Sequence, residues 1–176
     1  MAPRVFGLPA LPRLNSGIAR CLPVATTVLA ALLTILPVRI PGYATLTPAL
    51  ALMATYHWAI YRPELLPPFA LFAIGLGEDL LSGAPIGATA LLLLMARAGV
   101  VKYRRYFVNQ PFPFVWAGFT VLAGVAMLAF WALHCALAAS LLDIRTTVFR
   151  LVLTIAFFPV ASFLLGRAQR AVIGDG

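Results

Sequence analysis

Glu78 and Asp79 stand side by side inside an apolar run, Phe69 to Ala88, in a chain that otherwise nearly avoids acid. An ionised Asp at the centre of a membrane helix costs about 2.5 to 3.5 kcal/mol on insertion scales, so such residues are kept where they face protein, water or a partner. Adjacent helix positions point about 100° apart, which turns the two carboxylates away from each other rather than towards one substrate bond. Ser82 follows closely, but its apolar stretch, Leu65 to Ser82, has no histidine at its depth to activate it. No phosphate loop or dinucleotide fingerprint is present. Cys21 and Cys135, like His57 and His134, fall near opposite membrane faces in the topology argued below, too far apart for a disulfide or a shared metal. The expectation is a non-enzyme with no catalytic residue, no cofactor and no metal, and with two free, buried thiols.

The elements that must position the acid pair follow from composition. Of 176 residues, 62% are hydrophobic and 10% charged, and the mean hydropathy is +0.99; a soluble core of this size could not absorb that much apolar surface. The net charge of +8 raises the question of nucleic acid, but the basic residues lie in short links between apolar stretches and form no block longer than Arg104-Arg105. They fit membrane orientation instead, and no nucleic-acid partner is expected. The basic, Pro-rich start resembles a signal peptide, but Leu36-Pro-Val-Arg-Ile-Pro41 stands where a small-residue cleavage site belongs, which predicts a retained signal anchor.

A helix needs about 20 residues to cross a hydrocarbon core of about 30 Å. Six segments approach that: Ile18 to Pro37, Leu46 to Tyr61, Leu65 to Ser82, Ile86 to Tyr103, Phe112 to Leu142 and Val148 to Gly166. The second is short, and Pro159 should kink the sixth by removing the backbone bond to Ile155. The fold class read from the sequence is an all-α integral membrane bundle of about six transmembrane helices: a cytoplasmic tail over 1–17, one transmembrane domain over 18–166 and a cytoplasmic tail over 167–176. Arg4, Arg13, Arg20, Arg62, Lys102, Arg104, Arg105, Arg167 and Arg170 fall on one side, against Arg39 and Arg145 on the other. This excess makes the first side, with both termini, cytoplasmic. Tyr56, Trp58, Tyr61, Tyr103, Tyr106 and Trp116 then form an aromatic belt there. Arg97 snorkels towards the same headgroups, and Lys102, Arg104 and Arg105 offer a basic, aromatic loop to anionic lipid or a partner.

Arg150 lies inside span six at the depth of Glu78 and Asp79, roughly 6 Å below the outer end by helix rise. The match predicts an ion pair of Arg150 with either acid; the alternative is that both acids hydrate at the outer headgroups. Gly75, Gly77, Gly83 and Gly87 bracket the pair, and Gly83 and Gly87 have small-xxx-small spacing. They read as close packing of spans three and four, or as the lining of an outward pocket or docking surface. Gly118, Ala123, Gly124 and Ala126 read as a second close contact, in span five.

The stretch Gly75-Leu-Gly-Glu-Asp-Leu-Leu-Ser-Gly-Ala-Pro-Ile-Gly-Ala-Thr-Ala-Leu91, joining two spans of a small multi-span protein, resembles the bacterial rod shape-determining protein MreD family. The family pattern maps onto Gly75, Asp79, Gly83 and Gly87 to Leu91, and the similarity runs from about Leu22 to Arg170. The resemblance implies a non-enzymatic inner-membrane component of the cell-elongation machinery that builds side-wall peptidoglycan. It would act with MreC above all, and with MreB, RodA and a penicillin-binding transpeptidase. It also implies a fold like the substrate-binding subunits of energy-coupling-factor transporters, so the rival expectation is a vitamin-type capture subunit. Within the motif Asp79 matches the family, with Arg150 as its counter-charge; Glu78 is left to face a partner.

Overall fold

A computed structural model describes residues 16–35, 47–83, 85–108, 110–138 and 144–173. The expectations for Arg4, Arg13 and Arg39 lie outside them, as does most of the tail placed over 1–17. The described residues are all-helical, with six α-helices: α1 (Ser16–Ile35), α2 (Leu50–Tyr61), α3 (Pro68–Ser82), α4 (Ala88–Tyr103), α5 (Phe112–Ala138) and α6 (Ile144–Ile173). Single 3-10 turns follow α2 at Pro63–Leu65 and α4 at Arg104–Tyr106. Pro68, in the first turn of α3, has no N–H to leave unpaired. Within α5 and α6, Phe112–Leu133 and Ile144–Arg170 are long and apolar enough to cross a membrane; Cys21–Ile35 of α1 is a shorter apolar stretch.

The centre of the molecule is α2. Its sequence, LALMATYHWAIY, is apolar on every side, the pattern of a helix surrounded by protein, and each residue from Ala51 to Ile60 is buried. α1, α4 and α6 pack around it; α3 packs on α1 and α4, and α5 on α4 and α6. The expected span from Leu46 to Tyr61 is thus corrected to 12 helical residues, about 18 Å of helix, held inside the bundle. Tyr56 and Trp58 are correspondingly core residues, 1% and 0% exposed, rather than members of an interfacial belt. Tyr56 donates to the Val115 carbonyl at 2.9 Å and meets Phe107, Phe119 and Phe158 edge-on, while Trp58 Nε1 donates to Thr26 Oγ1 at 2.9 Å.

A short helix sealed in protein has terminal backbone groups that water cannot reach, and other side chains must satisfy them. At the start of α2 the Ala49 N–H donates to Thr154 Oγ1 of α6 at 3.1 Å. At its end Arg104 Nε donates to the Ile60 carbonyl at 2.6 Å and Nη2 to Tyr61 at 3.3 Å. Arg97 donates to the carbonyls of Leu66 and Pro63 at 2.8 and 3.0 Å, so it holds the α2–α3 link instead of snorkelling.

α6 is continuous through Pro159 and runs to Ile173, past the boundary placed at Gly166. The Ile155 carbonyl that Pro159 cannot pair with accepts a hydrogen bond from Trp116 Nε1 of α5 at 3.1 Å. Cys21 is exposed and Cys135 half-buried, which corrects the expectation of two buried thiols.

The core is mainly apolar but holds several polar residues, and many large apolar side chains are exposed. Thr27, Thr55, His57, Glu78, Asp79 and Thr154 are buried, whereas Leu29, Phe69, Leu81, Ile86, Met95, Val121 and Phe163 are exposed along α1, the α3–α4 segment, α5 and α6.

Candidate functional site

One end of the bundle gathers the start of α2, the last turn of α3, the first turn of α4 and the first turns of α6. Asp79 is fully buried on the side of α3 that meets α4. Its Oδ2 accepts from the Gly87 N–H at 2.8 Å and from the Thr89 N–H at 3.2 Å, and Oδ1 accepts from the Thr89 N–H at 3.1 Å. These amides belong to the opening turn of α4, where backbone donors have no partner in their own helix and the macrodipole favours a negative charge. A carboxylate from α3 therefore caps α4. Asp79 has its partners in α4, and among the described residues no ion pair joins Arg150 to Asp79 or to Glu78, which corrects the expected pairing.

The glycines make this cap possible in different ways. Gly83 ends α3 at φ 71° and Gly87 precedes α4 at φ 92°, left-handed conformations that glycine reaches without strain. They shape the turn that returns the α4 amides to Asp79, rather than forming a small-residue packing stripe. Gly75 is the packing glycine: a Cβ there would strike the backbone N and Cα of Ala90. Gly77 faces open space. In α5, Gly118 lies under Phe107 and the Tyr56 hydroxyl, whereas Gly124 has no close neighbour.

Glu78 points elsewhere, as adjacent helix positions must. It is 7% exposed and lines a cavity of about 40 Å³ together with Arg150, Thr89, Leu52, Met127 and Phe130. The expected common depth of Glu78 and Arg150 is present in this shared lining. Glu78 Oε2 and Arg150 Nε are both buried without a hydrogen-bond partner. The volume admits a few waters, each needing about 10 to 15 Å³, so the carboxyl and the guanidinium face one small space with otherwise largely apolar walls. The backbone beside it is tied down: Thr154 Oγ1, which accepts from Ala49, donates to the Arg150 carbonyl at 2.7 Å. On its other side Glu78 borders a groove of about 350 Å³ between α1 and α3, walled by Val28, Leu32, Ala73, Ile74 and Gly77.

The basic segment after α4 divides. Lys102 and Arg105 are exposed and lie over the rings of Tyr103 and Tyr106, at 5.6 and 5.0 Å from the centroids. Arg104 turns inward to the end of α2, which removes it from the expected lipid- or partner-facing set.

Sequence reasoning placed Glu78 and Arg150 together but missed the cap. Its signal was available: an acid at the end of one apolar helix, then two glycines and an unpaired first turn of the next. Comparison with protein-family models, with curated proteins and with solved structures found no match to this chain.

Proposed function

We propose that this chain is a multi-pass inner-membrane protein of the kind represented by rod shape-determining protein MreD, a non-enzymatic scaffold of the cell-elongation machinery that binds MreC. Both termini are cytoplasmic in this reading, and the bundle is embedded through its six helices. The observation that carries the membrane part is the apolar outer surface: large apolar side chains face outward on α1, α3, α4, α5 and α6, in addition to those that fill the core. Soluble monomers rarely expose contiguous apolar patches beyond a few hundred Å².

The scaffold part is supported by the use the fold makes of the motif. Gly75, Asp79, Gly83 and Gly87 are absorbed in building the α3–α4 corner, which is the task of a rigid framework rather than of a reaction centre. Glu78 and the adjoining α1–α3 groove remain for a partner. A capture subunit needs a pocket of roughly 300 to 1,000 Å³ with several convergent polar groups; the cavity shared by Glu78 and Arg150 is about 40 Å³, and in the groove of about 350 Å³ beside it Glu78 is the one polar side chain among the described residues.

Co-expression with the MreC of the same organism and purification in mild detergent tests the reading. The expected result is a stable complex, weakened by Gly77→Leu, which fills the groove beside Glu78. No complex, together with a clear thermal shift on adding a vitamin, would assign the chain to the capture class instead.

A further inference from the structure

The end of the bundle opposite Glu78 carries a second constellation, unconnected with the motif. A groove of about 580 Å³ opens between the end of α2, the start of α5 and the end of α6. Its walls are apolar and aromatic, from Tyr61, Phe112, Pro159 and Phe163, and its polar groups are His57, Ser162, Gln169 and Arg170. His57 is 4% exposed, and its Nε2 is buried with no hydrogen-bond partner; the Gln169 side chain interacts with the same ring. The Arg170 guanidinium folds back along α6, with Nη2 4.0 Å from where a Cβ on Gly166 would stand. Arg167 lies over the Phe163 ring at 5.9 Å. Finally, α5 begins at Phe112 on the groove wall, so the positive end of a 27-residue helix abuts it.

These features share one chemistry. The Arg170 guanidinium, the start of α5 and the buried, unsatisfied His57 Nε2 line one groove whose sides are aromatic, and Arg167 lies beside it over Phe163. An anionic head with a hydrocarbon tail matches both halves; a free anion would use the first half and leave the apolar walls uncovered. The basic residues of this end, Arg62, Lys102, Arg104, Arg105, Arg167 and Arg170, also place it at the cytoplasmic leaflet, where anionic lipid is met.

We propose that this groove binds one anionic phospholipid of the cytoplasmic leaflet, with the phosphate on Arg170 and an acyl chain along Phe112 and Phe163. The lipid would join α2, α5 and α6 at the end of the bundle where α6 emerges. The proposal rests on the membrane reading above, and alkaline carbonate washing of the expressing membranes separates the two. Recovery of the chain in the soluble fraction overturns both; retention leaves the membrane reading standing and the lipid site to be decided on its own measurement.

That measurement is native mass spectrometry of the full chain in detergent, with dioleoyl-phosphatidylglycerol or dioleoyl-phosphatidylcholine as probe. Phosphatidylglycerol is expected to be retained about fivefold better, the effect of about one basic contact. Arg170→Gln and Gly166→Leu should each reduce it to the phosphatidylcholine level, the first by removing the charge and the second by filling the groove. Arg62→Gln, at the same end but outside the groove, should leave retention unchanged. Equal retention of the two lipids, or an equal loss in Arg62→Gln, would overturn the site. Displacement of phosphatidylglycerol by millimolar inorganic phosphate would overturn the lipid in favour of a free anion.

Discussion

At the residue scale, Glu78 and Asp79 show how little adjacency says about role. Asp79 is absorbed by backbone: both carboxylate oxygens accept from the first turn of α4, and a buried charge paired in this way is costly to remove. Asp79→Ala is expected to destabilise by about 2 kcal/mol, the upper end of measured helix-cap losses. Asp79→Asn, which keeps one accepting oxygen, should lose less; thermal unfolding in detergent would order the two. The neighbouring glycines give a sharper contrast. Gly75→Ala drives a methyl into the Ala90 backbone and should cost about 1 to 3 kcal/mol, as overpacking does, whereas Gly77→Ala enters open space and should be tolerated. Equal unfolding temperatures for these two variants would contradict the α3–α4 contact described here.

At the element scale, the helices are held by side chains that complete one another's backbones. Thr154 serves the start of α2, Arg104 its end, Asp79 the start of α4 and Trp116 the gap that Pro159 leaves in α6. A backbone group left unsatisfied away from water is expensive, so each of these contacts fixes where one helix lies against another. A double-mutant cycle isolates the last. Trp116→Phe should cost about 1 kcal/mol, the usual net value of a hydrogen bond. In a Pro159→Ala background the same change should cost little, because the alanine N–H takes over the Ile155 carbonyl. Additive losses would show that the indole contributes through packing alone.

At the scale of the whole molecule, large apolar side chains cover much of the outer surface as well as filling the core, and most of the described basic residues gather at the end where α2, α4 and α6 finish. Single cysteines at Lys102 and at Arg145, in a background with Cys21 and Cys135 replaced by serine, are expected to be labelled from opposite sides of the membrane by an impermeant maleimide. Labelling of both from one side would contradict the orientation.

Composition and spacing determined that the chain is helical and apolar, roughly where most of its helices begin and end, and that Glu78 and Arg150 lie at one depth. These properties depend on local propensity, helix rise and the exclusion of charge, all of which are written along the chain. The inward position of α2 was not legible in the same way, since a short apolar helix looks alike whether lipid or protein surrounds it. Nor were the partners of Asp79, Arg97, Arg104 and Trp116, because each is a backbone group on another element. Pairing of that kind depends on which helices become neighbours, and only the tertiary packing decides that.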